Sequence, residues 1–198
     1  MSVLYTAPAV TLQSPTMATR TSDISTNPGD YRHRQTYRVR YDDLDTYRHV
    51  NNKSFLTYIE DARVYYLMDA AGFRHHHDQQ HGVMVVHAAI DYLSQIHPFE
   101  EVTVYTRCAR IGTKSITLHH LLQVERPATA SGIDRSAEAA PASTGQRSDT
   151  APRPAAVSTT IFAAVDMQSG RSTPVSQEMI DHINGWEYTP PERAPGGA

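Results

Sequence analysis

The segment Tyr41-Asp42-Asp43-Leu44-Asp45-Thr46-Tyr47-Arg48-His49-Val50-Asn51-Asn52 crowds three carboxylates, one imidazole and two carboxamides into a short stretch. Directly after it, Phe55, Ile59, Ala62, Tyr66 and Ala70 recur at helical spacing, which predicts a helix over 52–70. The polar cluster therefore stands at a helix N-terminus, where unpaired backbone N–H groups and the helix dipole favour developing negative charge. A carboxylate and an imidazole beside such N–H groups are the ingredients of acyl transfer: a base or nucleophile plus an oxyanion site. The same residues have a plainer use, because Asp and Asn before a helix act as caps, and Asn51 or Asn52 can cap this one. On spacing alone both readings stand.

The elements that must hold this segment follow from the hydrophobic pattern. Tyr37, Val39 and Tyr41 alternate with Arg38, Arg40 and Asp42, which predicts a strand with one apolar face. In the helix, Leu56 and Leu67 widen the apolar stripe, and Gly72 is a C-terminal stop. Four strand-like runs come next. Their predicted apolar faces are Met84, Val86, Ala88, Ile90 and Tyr92; Val102, Val104, Thr106 and Cys108; Ile116, Leu118, His120, Leu122 and Val124; and Val157, Thr159, Ile161, Ala163 and Val165. A short helix over about 175–184 closes the unit with Val175, Met179, Ile180 and Ile183. Successive strands favour antiparallel pairing, and the long apolar helix must lie on the resulting sheet. The expected class is α+β, a curved antiparallel sheet wrapped around one central helix.

Composition limits what else the chain can be. Its 198 residues fit one domain with tails, and a net charge of -3 lacks the basic footprint of a nucleic-acid binder. No run approaches the ~20 apolar residues of a membrane-spanning helix. The one cysteine, Cys108, excludes an internal disulfide framework and a multi-cysteine zinc site. Residues 1–31 are rich in hydroxyls, prolines and small side chains and read as a disordered arm. Pro8 interrupts the short apolar stretch Val3–Val10 and no basic region precedes it, so no secretory signal is expected. The first 22 residues carry Arg20, several hydroxyls and no acid, a faint presequence pattern, which makes mitochondrial targeting the alternative to a cytoplasmic location. The stretch 127–156, made of Ala, Ser, Thr, Pro and Gly, reads as a flexible insertion within a domain at 32–188, and 189–198 as a loose tail.

"VRYDDLDTYRHVNNKSFLTYIEDAR" (residues 39–63) resembles the signature of hotdog-fold acyl-CoA thioesterases of the 4-hydroxybenzoyl-CoA thioesterase type. It is also similar to the Asp-x-x-x-His-Val-Asn-Asn segment of plant acyl-carrier-protein thioesterases. "VVHAAIDYLSQIHPFEEVTVYTRCARIGTKSITL" (residues 85–118) is similar to the strands that follow in that family. The likeness covers most of residues 35–126 and, more weakly, 157–186. It implies a hotdog fold, in which a sheet wraps a central helix, and self-association as a dimer or tetramer. It implies that Asp45 is the catalytic carboxylate, as base or nucleophile, and that His49 orients the carboxylate, the water or the thioester. The backbone N–H at Asn52 matches the position that polarises the thioester oxygen. Two departures concern substrate preference. Many members have Gly where this chain has Arg48, and plant-type enzymes have Asn where it has Tyr47. Arg48 can narrow the acyl site or meet a phosphate or carboxylate.

Other polar groups have weaker signals. Glu60 is a second candidate carboxylate, but Glu60 and Arg63 are spaced to pair on the helix. Lys114 and Ser115 lie in a turn that meets coenzyme A in similar proteins, and Arg110 can assist with its phosphates. His75, His76, His77 and His81 lack a regular ligand spacing and read as a solvated loop, so no metal and no cofactor is expected. Cys108 reads as a small core residue. Asn52-Lys53-Ser54 is formally a glycosylation sequon, without a secretory signal to give it meaning. The resulting expectation is hydrolysis of an acyl-CoA to free acid and CoA. The alternatives are a non-catalytic acyl-CoA-binding or sensing module, and a hotdog enoyl-thioester hydratase or dehydratase.

Overall fold

The computed structural model describes residues 21–73, 81–126 and 151–194. The expected tract His75–His77, most of the expected insertion and much of both expected tails lie outside the described residues. The elements are β1 (His33–Arg38), α1 (Asn52–Ala70), β2 (His81–Tyr92), β3 (Glu101–Ile111), β4 (Ser115–Arg126), β5 (Arg153–Asp166), α2 (Gln177–Trp186) and β6 (Glu192–Arg193). The sheet runs in the order β1-β3-β4-β5-β2, antiparallel throughout, with β6 added parallel to the end of β3. The class is α+β. No helix among the described residues is long and apolar enough to cross a membrane.

The long helix forms where its periodicity places it. Asn51 caps it, its side chain accepting from Lys53 N at 3.0 Å, and Gly72 ends it with φ +78°, a left-handed value that costs glycine little. Its buried stripe is Phe55, Tyr58, Ile59, Ala62, Tyr66, Leu67 and Ala70. Leu56, expected to widen that stripe, is instead 45% exposed, and Tyr58 takes its place because Tyr37 stacks on its ring at 5.2 Å.

The helix covers one face of the sheet in two apolar clusters. One gathers Phe55, Ile59, Val102, Val104, Leu122 and Val124. The other gathers Tyr66, Cys108, Ile116, Leu118, Phe162 and the α2 residues Met179, Ile180 and Ile183. Between them runs a polar row. Thr106 Oγ1 lies 3.0 Å from His120 Nδ1, and His120 Nε2 lies 3.2 Å from Thr160 Oγ1. His120 is fully buried, and burial pushes its pKa down to about 3, so the ring is neutral and held by two hydroxyls.

Several sequence expectations change. The first strand ends at Arg38, and Tyr41–Asp43 form a 3-10 turn that leaves Tyr41 89% exposed. In β2 the pairing register shifts between Val85 and His87. The extra residue turns Val83 and Val85 to the helix side in place of Met84 and Val86, while Ala88, Ile90 and Tyr92 keep that side. In β5 the residues across from Ile116, Leu118 and His120 are Phe162, Thr160 and Ser158. The expected face, Val157 to Val165, therefore points away from α1. At its Val157 end that face is buried nonetheless, because Ile24 and Tyr31 pack over Tyr105, Leu121 and Val157. Residues 21–31 thus belong to the folded unit rather than to a loose arm. β5 also begins at Arg153, four residues inside the expected insertion, and Glu192–Arg193 form a strand within the expected tail.

Candidate active site

The segment between β1 and α1 is organised around two aspartates with different jobs. Asp43 is buried at 3% exposure. Its carboxylate accepts from Arg40 N at 2.8 Å and from the Tyr58 hydroxyl at 2.7 Å, with the Arg40 guanidinium at 3.3 Å. Its carbonyl oxygen accepts from Asn51 N at 2.7 Å and from the Ser54 hydroxyl at 3.2 Å. Burial pushes the Asp43 pKa up, but the bonds from Arg40 and Tyr58 outweigh it and hold the carboxyl below its usual range. Asp43 fastens the loop to the first turns of α1.

Asp45 is half-buried and shapes a tight turn. Arg48 N donates to Asp45 O at 3.1 Å, and Asp45 N donates to His49 O at 2.8 Å. One carboxylate oxygen, Oδ1, accepts from Tyr47 N at 2.8 Å and His49 N at 3.1 Å. The other, Oδ2, has no hydrogen-bond partner among the described residues. Beyond His49 and Val50 the chain enters α1 through its cap Asn51, and the first helical residue, Asn52, is exposed and has a backbone N–H with no acceptor among the described residues. The arrangement offers a carboxylate oxygen, an imidazole and a helix-start N–H on one short loop, the set required for attack on a carbonyl.

Arg48 sits in that turn with φ +63°. Left-handed backbone costs a non-glycine residue about 1–2 kcal/mol, which explains why glycine suits this position. Arg48→Gly removes that strain, against an entropic cost of about 0.4–1 kcal/mol from the more flexible unfolded chain. A thermal melt should show Tm raised by about 2 °C, and a lowered Tm would mean the arginine makes contacts that matter more than its backbone.

The remaining candidates divide by place. Glu60 pairs with Arg63 at 3.1 Å and is turned to solvent, as its spacing suggested. Cys108 is fully buried in the apolar cluster around Tyr66, and burial raises its thiol well above the usual range. His81 opens β2 and is exposed. No group of three or more His, Cys, Asp or Glu among the described residues could hold a metal ion. Arg110, Lys114 and Ser115 are not with Asp45. Val39 N donates to Glu100 O, so the loop stands at the Glu101 end of β3, whereas these three lie at its Ile111 end. At ~3.3 Å per residue the length of that strand separates them by about 33 Å.

One neighbour escaped the sequence reading. The β2–β3 loop approaches from the side, with Val50 N donating to Ile96 O at 2.9 Å, and its His97 ring meets the His49 ring edge to face, 5.1 Å between centroids. No spacing rule links residues 48 positions apart, so only the folded chain brings them together.

The family description of the thioesterase-like superfamily matches residues 39–183, most of the chain. The chain belongs to the thioesterase-like superfamily. Over 83 residues it is 31% identical to the uncharacterized protein YsmA of Bacillus subtilis (strain 168), a match spanning 42% of this chain and 55% of that protein. This thioesterase-like chain thus spans about half the length of that curated relative. Its fold matches the PA5185 protein of Pseudomonas aeruginosa with a TM-score of 0.62 at 20% identity, over 81% of this chain and 94% of that one. It matches the probable thioesterase YbaW of Escherichia coli with a TM-score of 0.59 at 19% identity, over 78% and 98%. A third match is the Thermus thermophilus thioesterase complexed with coenzyme A and Zn, with a TM-score of 0.59 at 24% identity, over 81% and 98%. The superfamily match and these likenesses make the α+β sheet on α1 a hotdog fold.

Proposed function

We propose that the protein hydrolyses an acyl-CoA thioester to a free acid and CoA. The observation that carries this reading is the unshared Asp45 Oδ2 on the same loop as the His49 ring, next to the unpartnered Asn52 N–H at the start of α1. The thioester carbonyl oxygen accepts from Asn52 N–H, and Asp45 attacks the carbonyl carbon or takes the proton of a water that does. His49 orients the reacting groups. Negative charge grows on the carbonyl oxygen at the helix N-terminus, the C–S bond breaks, and CoA leaves as a thiolate that takes the proton released by the water; where Asp45 is the nucleophile, that water cleaves the acyl–Asp45 anhydride to free acid and restores the carboxylate. An oxyanion donor of this kind contributes about 10²–10³ in rate. The coenzyme A bound to the Thermus thermophilus relative supports CoA as the carrier.

A second copy of the chain completes this reading. Among the described residues β2 lies at the sheet edge, unpaired on one side, and exposes Met84, Val85, Val86, Tyr92 and, just beyond it, Leu93. Its Tyr92 end adjoins the start of α1, where Phe55 meets Tyr92 at 5.1 Å, and its His81 end lies at the same end of the sheet as Ser115. Antiparallel pairing of two β2 edges sets these opposite ends side by side. Lys114, Ser115 and Arg110 of one copy then approach Asp45 of the other, where their charge suits the CoA phosphates. An apolar unpaired edge of this length also calls for cover.

The test is thiol release from short, long and aromatic acyl-CoAs, run beside light scattering. Turnover of at least one member by a dimeric or larger species is expected, and Val85→Lys should yield monomers with much reduced turnover. Tight acyl-CoA binding without thiol release from any member would move the assignment to a sensing or carrier role.

A further inference from the structure

We propose that His97 is a positioning residue for this site, its ring fixing the orientation of the His49 ring beside Asp45. The proposal rests on the thioesterase reading of Asp45 and His49 and adds a residue to it.

The backbone around His97 is held more firmly than a surface loop requires. Arg153 Nη2, reaching over from β5, donates to Gln95 O at 2.8 Å and to both Glu100 carboxylate oxygens at 3.0 and 2.9 Å. Glu100, 6% exposed, in turn accepts from His97 N at 2.8 Å. Ile96 O, one residue before His97, accepts from Val50 N, one residue after His49. Phe99 closes the loop with φ +67° although 58% exposed, a left-handed conformation that a bulky side chain adopts only when its surroundings impose it. The construction repeats that of the facing loop. There a carboxylate, Asp45, accepts from His49 N, and a non-glycine residue, Arg48, is left-handed. Two strained, carboxylate-anchored loops thus press one imidazole against another, and strain of this kind collects where geometry matters for function.

The two rings meet edge to face at 68°, the arrangement aromatic pairs favour. With the His97 main chain fixed on its side, rotation of His49 about its χ angles meets a wall. The charges agree with that role. Partial burial pulls the His97 pKa below its usual value; His49 and Arg153 pull the same way, and Glu100 opposes them. His97 is therefore neutral at pH 7 and adds no positive charge beside the His49 ring.

The test compares His97→Ala and His97→Phe with the wild type. On the best acyl-CoA substrate, His97→Ala should lose about 10–100-fold in kcat with KM changed less than about 2-fold, the loss expected when a reacting group drifts by about an ångström. His97→Phe keeps a ring and should restore most of the loss, which a polar or acid–base role would not allow. In NMR spectra the His49 Cε1–H resonance should move in His97→Ala, and the His97 titration should shift upward in His49→Phe. Unchanged kcat in His97→Ala together with an unmoved His49 resonance would overturn the proposal. Equal loss in both variants would make His97 a chemical participant rather than a positioning one. If the wild type cleaves no acyl-CoA, the functional reading fails by itself, while the two NMR measurements still decide whether His97 sets the His49 ring.

Discussion

Asp45→Asn should lower kcat/KM toward the preferred acyl-CoA by about 10²–10⁴-fold, the usual reach of a general base, while Tm stays within about 2 °C. The separation of the two effects follows from how the carboxylate is used. Oδ1 accepts from Tyr47 N and His49 N, and an asparagine Oδ1 accepts both bonds equally well. The turn therefore survives. What changes is the second position, where an amide NH2 replaces an oxygen and can neither take a proton nor attack a carbonyl. Activity within about 10-fold of wild type would remove Asp45 from the mechanism and return Glu60 to consideration, with Glu60→Gln as the next variant.

Asp43→Ala should do the reverse, acting first on stability. It removes the acceptor for Arg40 N and for the Tyr58 hydroxyl in a buried setting, at a cost of about 2–4 kcal/mol, which lowers Tm by roughly 10 °C. Tyr58→Phe removes a single bond and should cost about 1 kcal/mol. The pH dependence has a sign that can be checked. The Asp43 pKa is lowered on folding, so its contribution is present above the unfolded value and is lost as pH falls through the folded value. The buried histidines act earlier. His119 and His120 are pushed down to about 4 and about 3 by burial, so the unfolded chain takes up their protons first, from about pH 6.5 downward. Glu187, raised by burial, opposes the trend, contributing stability at low pH that fades as pH rises past its unfolded value. Chemical denaturation across pH 3–7 should show stability falling from about pH 6.5 downward, with His120→Asn flattening that limb and Asp43→Asn flattening only its most acidic part. A wild-type profile flat from pH 7 to pH 4 would contradict the buried neutral histidines.

The long helix, its cap and its glycine stop were legible because they depend on contacts a few residues apart. Periodicity of 3.6, Asn51 before the first turn and Gly72 after the last are local facts that the fold did not need to override. The inward faces of β3 and β4 were legible for the same reason, since simple alternation continues there through residues 102–108 and 116–124. The polar loop stood out by residue type, yet Asp43 and Asp45 look alike in sequence. Burial between Arg40 and Tyr58 makes one a fastener, and the open turn leaves the other with an unshared oxygen.

Local pattern alone specifies the helix, the succession of strands along the chain and the polar loop that joins β1 to α1. Long-range packing sets what that periodicity cannot encode. A one-residue irregularity near Val86 chose which side chains of β2 face the helix, and cover from Ile24 and Tyr31 buried the outward-facing Val157 of β5, whose apolar alternation pointed the wrong way. Chain topology carried Lys114, Ser115 and Arg110 to the far end of the sheet and brought His97 against His49. Each of these outcomes depends on contacts between distant residues, whose cost and reward appear only when the chain has closed on itself.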